Sequence, residues 1–108
     1  MRMRRVTVLA AVMLLGSAHA ALAQEGDATA GQAYAKQVCA ACHAVLANQE
    51  ISPLAQAPTF QKVADTPGMT EMALSVWLQS SHPTMPNIIL KPDDLRNVVA
   101  YIVSLKSK

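Results

Sequence analysis

The chain has 108 residues, 52% of them apolar and 4% aromatic, with a formal net charge of +2. That length holds one small domain and excludes multidomain enzymes and large α/β folds. Three of the nine basic residues and none of the seven acidic ones lie in the first 23 positions, so the remainder carries −1 and lacks the basic footprint of a nucleic-acid-binding protein.

Arg2, Arg4 and Arg5 precede an apolar run from Val6 to Leu15, and small residues follow as far as Ala21-Leu22-Ala23. This is the order of a secretory signal peptide with an A-x-A cleavage site. The run of ten residues is too short to span a bilayer, which takes about 20. Residues 1–23 are therefore expected to be a signal peptide and residues 24–108 one exported domain, located in the periplasm. The expected mature part has no stretch long and apolar enough for a transmembrane segment.

Asp27 is a good N-cap residue, and Ala30, Tyr34 and Val38 then recur every four positions. A first helix is expected to run from there into Cys39, with Gly31 and Ala35 forming a small-residue strip that admits a close neighbour. Leu46 to Asp65, which contains Pro53 and Pro58, reads as a long irregular connection, unusual in a compact domain unless it has a job. A second helix is expected around Thr70 to Ser80. Met69, Met72, Ala73, Val76 and Trp77 lie on one apolar face, and Leu74 and Leu78 on a second edge. Thr66-Pro67-Gly68 marks a turn before it and His82-Pro83 its end. Trp77 is assigned to core packing.

The third helix starts with Pro92 at its first position and Asp93 and Asp94 in its first turn. Leu95, Val98, Val99, Ile102 and Leu105 form its apolar stripe, and Lys106 and Lys108 fall in the expected last turn. No segment reads convincingly as a strand, so the fold class is all-α.

A domain of this size sits near the limit of what one core stabilises, and small exported domains commonly add disulfides or a metal. The expected mature chain has four aromatics, Tyr34, Phe60, Trp77 and Tyr101. A disulfide between Cys39 and Cys42 would close too short a loop to help much. A large apolar group at the centre would relieve the shortage.

Cys39-Ala40-Ala41-Cys42-His43 is C-x-x-C-H, the pattern of covalent c-type haem attachment. Residues three apart share a helix face, so two thiols can meet the two vinyl groups on one haem edge while the histidine offers a nitrogen to iron. Three other readings compete. A simple disulfide is weak for the reason above, and a thioredoxin-type C-x-x-C belongs near a βαβ pattern. A zinc site lacks a second Cys/His pair.

Candidates for a second axial ligand are Met69, Met72, Met85 and His82. Met69 and Met72 belong to a helix face, where methionine commonly fills core gaps. Met85 lies between Pro83 and Pro86, which stiffen an otherwise polar loop. His82 precedes proline at a helix end, where capping carbonyls or facing solvent is its expected role.

Together these residues resemble the small bacterial class I cytochromes c. The likeness includes C-x-x-C-H, Gly31-x-x-Tyr34 before it, Ala57-Pro58-Thr59-Phe60 after it, Thr84-Met85-Pro86-Asn87, and Ala100-Tyr101-Ile102. The resemblance implies a cytochrome c fold of three main helices, the N- and C-terminal ones crossing near-perpendicularly at Gly31, Tyr34 and Tyr101, with long loops around the haem. It implies one haem c per chain, attached through Cys39 and Cys42, with iron ligated by His43 and Met85. By the same resemblance the Pro58 carbonyl accepts a hydrogen bond from His43. Ala57 stands where the family often has glycine.

The implied function is carrying single electrons between redox protein partners, with no catalytic residue and no enzyme activity. Alternatives are a haem subunit held tightly in a larger dehydrogenase or oxidase complex, or a ligand-binding haem sensor or enzyme. A monomer or a complex subunit is expected. Mitochondrial members dock through a ring of lysines, whereas this chain has Lys36, Lys62, Lys91 and Lys106 besides the terminal Lys108. A strongly basic docking face is not expected.

Overall fold

The computed structural model describes residues 25–108. The expected signal segment, residues 1–23, lies outside the described residues.

α1 spans Ala28–Tyr34 and continues into a π-helical turn over Ala35–Cys39. As the sequence predicts, Asp27 caps it: one carboxylate oxygen accepts the N–H groups of Thr29 and Ala30 at 2.9 and 3.2 Å. The N–H of Asp27 itself donates to Asn97 Oδ1 at 2.8 Å, tying the start of α1 to the last helix. The π turn is closed by the Ala40 N–H donating to Ala35 O, five residues back, at 2.9 Å.

α4 spans Pro92–Ser104 and is the element on which the others pack. Gly31 is buried against it: a Cβ there would collide with the Asn97 carbonyl and come within 2.8 Å of Tyr101 Cβ. Val98, Val99 and Ile102 are buried as expected, and Leu95 and Leu105 pack half-buried beside them. Tyr101 joins them, its ring tilted on Phe60 at 6.4 Å and its hydroxyl donating to Val45 O at 2.6 Å. Tyr34 packs half-buried against the same cluster. The helix ends before Lys106 and Lys108, and Lys106 Nζ donates instead to Met69 O at 3.0 Å, fastening the chain end to the turn before α3.

A helix unexpected from the sequence, α2, covers Phe60–Ala64. Five residues are too few for a periodic signal, but Thr59 Oγ1 accepts the Lys62 N–H at 3.1 Å, and Phe60 and Ala64 are buried. α3 covers Glu71–Leu78, capped by Thr70 through the Ala73 N–H at 3.1 Å. Its orientation corrects the expected apolar face. Leu74 is 1% exposed and Leu78 half-buried, whereas Met72, Val76 and Trp77 are 78%, 60% and 58% exposed. Both edges of this helix are apolar, and the edge four residues apart at 74 and 78 meets the core. Trp77 is therefore not a core residue. Among the described residues there is no strand, only one isolated bridge between His82 and Met85.

Candidate functional site

The C-x-x-C-H motif starts on the last residue of the π turn. The N–H groups of Cys42 and His43 both donate to Cys39 O, at 3.2 and 3.0 Å, so the backbone winds one more tight turn through the motif. Both cysteines are free thiols, half-buried. Burial pushes the Cys39 thiol up to about 11, which keeps it a neutral thiol at neutral pH.

His43 Nδ1 lies 2.6 Å from Pro58 O. A carbonyl only accepts, so Nδ1 donates, and the lone pair of the neutral ring is left on Nε2. The Phe60 ring stands 5.5 Å from the imidazole, tilted by 52°.

What holds Pro58 there is the connection that the sequence leaves irregular, and it is ordered by hydrogen bonds. The N–H of Ala44 donates to the buried Ser52 Oγ at 3.0 Å, and the N–H of Leu54 to Cys42 O at 3.0 Å. Asn48 takes a left-handed conformation with φ of 60°, and the Leu46 N–H donates to Gln49 Oε1 at 2.9 Å. Beyond Pro58, the Phe60 N–H returns to Ala44 O at 2.9 Å, so α2 anchors the far end of the loop beside the motif. Ser52 and Gln49 carry no sequence signal of this role, since nothing in a single polar loop residue says which backbone group it will meet.

Met85 is presented by a separate element, the tight turn after α3. The turn is closed by the bridge to His82, with the Met85 N–H donating to His82 O at 3.4 Å. Met85 is half-buried and lines a cleft of about 380 Å³ with Leu78, His82, Ile88 and Leu90. His82 does not meet its expected role. Its ring stands edge-on to Trp77, centroids 4.4 Å apart and planes at 76°, and its Nε2 is buried with no hydrogen-bond partner among the described residues. α3 carbonyls near its end are capped by Gln79 and Ser80 instead, whose side chains donate to Ser75 O and Val76 O at 2.9 and 2.7 Å.

Among the described residues no group of three or more His, Cys, Asp or Glu side chains is arranged to hold a bare metal ion. Two free thiols, an imidazole with its second nitrogen already engaged, and a thioether are the donor set of a haem attached through sulfur, and the residues present fit that group.

A small helical domain with these donors defines a c-type haem protein. The chain belongs to the Cytochrome c family, which it matches over residues 28–106. It is similar to cytochrome c-552 of Bradyrhizobium diazoefficiens, 38% identical over 80 residues that cover 74% of this chain and 76% of the relative. No solved structure matches the chain. As a family member it has the all-α cytochrome c fold, carries covalently bound haem c and transfers electrons to and from redox partners; it is not an enzyme. No helix of the described residues is long and apolar enough to cross a membrane.

Proposed function

We propose that Cys39 and Cys42 form the two thioether links to the haem and that His43 and Met85 are its axial iron ligands, with Pro58 fixing His43. The observation that carries the reading is the 2.6 Å contact between His43 Nδ1 and Pro58 O. A carbonyl on one ring nitrogen fixes the tautomer, orients the ring and raises the basicity of the other nitrogen. When bound, the haem supplies a one-electron ferric–ferrous couple. The Met85 thioether raises the reduction potential relative to a second imidazole. With His43 and Met85 both engaged on the iron, a small oxidant would find no open coordination site, which would suit a carrier.

The order of residues 1–23 supports export with cleavage after Ala23 and a periplasmic location for residues 24–108. The test is mass spectrometry and optical spectroscopy of the secreted protein. One haem added to residues 24–108, and a sulfur-to-iron charge-transfer band that Met85→Ala removes while lowering the midpoint potential, is the expected result. An unchanged spectrum and potential in Met85→Ala would remove Met85 from the iron. Cys39→Ala and Cys42→Ala should each retain at most one link.

A second reading has one observation in its favour. Met72, Val76 and Trp77 share an exposed apolar face of α3, as a subunit held permanently in a larger redox complex would present. Co-purification of a stoichiometric partner from native membranes or periplasm would select it over the freely diffusing carrier.

A further inference from the structure

His82 and Met85 stand directly opposite each other across the bridge that closes their turn. Opposed residues of an antiparallel pair present their side chains to the same face, with Cβ atoms about 4.5–5.5 Å apart. Both line the same cleft. The imidazole Nε2 of His82 is buried and has no hydrogen-bond partner among the described residues, so no hydrogen bond at that atom must break before it is used. Trp77 packs against the ring, with centroids 4.4 Å apart and planes at 76°. Pro83 follows directly and restricts the turn, so the histidine stays close to wherever Met85 is delivered.

Taking Met85 as the axial ligand, we propose that His82 is a reserve ligand: when the Met85 thioether is lost from the iron, His82 Nε2 replaces it and the iron stays six-coordinate. One iron–sulfur bond breaks and one iron–nitrogen bond forms, and no electron is exchanged. The carrier then falls to a lower potential, because imidazole replaces thioether, but it does not open to dioxygen or peroxide. Of the four candidate ligands in the sequence, only His82 shares both the turn and the cleft of Met85.

The test compares haem-loaded Met85→Ala with Met85→Ala/His82→Phe at one neutral pH. The readouts are ferric electron paramagnetic resonance, the optical spectrum and carbon monoxide uptake by the reduced protein, with circular dichroism confirming that each variant is helical. The expected result is loss of the sulfur band in Met85→Ala with retention of a low-spin signal of two nitrogen ligands and no rapid carbon monoxide uptake. Removing His82 as well should abolish the low-spin signal and allow rapid uptake. A high-spin, freely binding Met85→Ala overturns the proposal, as does a double variant that remains low-spin. Should Met85→Ala keep the sulfur band, the assignment of Met85 fails first and the reserve role falls with it, an outcome the band alone identifies. If Met85→Ala does not yield holoprotein, Met85→Leu supplies similar bulk without a ligating atom and is read in the same way.

Discussion

His43 and Pro58 are fifteen residues apart in sequence and joined by a 2.6 Å hydrogen bond whose acceptor belongs to the backbone. No substitution of the Pro58 side chain removes that acceptor directly, so the bond depends on the loop that places it. Ser52 is the residue inside that loop whose loss tests this. Ser52→Ala leaves the buried Ala44 N–H without its 3.0 Å partner, which costs about 1–3 kcal/mol. Guanidinium unfolding of the holoprotein should show that loss of stability. The reduction potential should shift with it, because the carbonyl under His43 is less firmly held. A stable variant with parental potential would show that the loop is held without Ser52.

The seam between α1 and α4 has no room for a single methyl group at position 31. Gly31→Ala would drive a Cβ into the Asn97 carbonyl and toward Tyr101, and both neighbours belong to the packed helix. Overpacking of this kind costs about 1–3 kcal/mol or more. Gly68→Ala makes an informative contrast, since a Cβ there meets nothing and the cost comes from its φ of 78° alone, about 1 kcal/mol. Thermal melting should therefore place Gly31→Ala well below Gly68→Ala, and the reverse order would show that the helices separate easily.

Acid sensitivity should concentrate at the C-terminal clasp. The Asp65 carboxylate accepts the Ser107 N–H at 2.7 Å and the Gln61 amide at 3.0 Å; these bonds, with Lys106 nearby, hold its pKa below the ordinary 3.8. A carboxylate lowered in the folded state stabilises the fold above its unfolded pKa, and that contribution is lost as pH falls through the folded value. Asp65→Asn should thus weaken the protein near neutrality and flatten the part of the stability curve below about pH 4. Melting temperatures measured from pH 7 to pH 2 would reveal it, and parallel curves for parent and variant would count against the clasp.

Legibility of the fold followed the range over which each signal acts. Asp27 and Pro92 announce their helices because capping and proline geometry are local, and the stripe on α4 is long enough to show its period. α2 is too short for a period, and its one local cue, Thr59, sits behind a proline in what reads as loop. α3 was legible as a helix but not in its orientation, because two apolar edges compete and only the position of α4 decides for Leu74. At the site, C-x-x-C-H is contiguous and stands out unaided. The environment of His82 is set by Trp77, five residues away across a helix end, a separation that neither helical nor strand periodicity marks.

The π turn has a consequence for how this sequence can vary. An α-helix advances about 100° per residue. Deleting one residue from the π turn, so that ordinary spacing returns, would leave both cysteines near their present angle about the axis, because the wider turn already absorbs the extra residue. A deletion that left the π turn in place would instead turn them by roughly 100° while the glycine stayed locked to α4. The anchoring point and the attachment point keep their phase because the π turn takes up a single surplus residue. Insertions and deletions among natural variants should therefore fall ahead of Gly26 or in the loop beyond His43, and within the stretch that couples the two only as loss of the π turn's surplus residue.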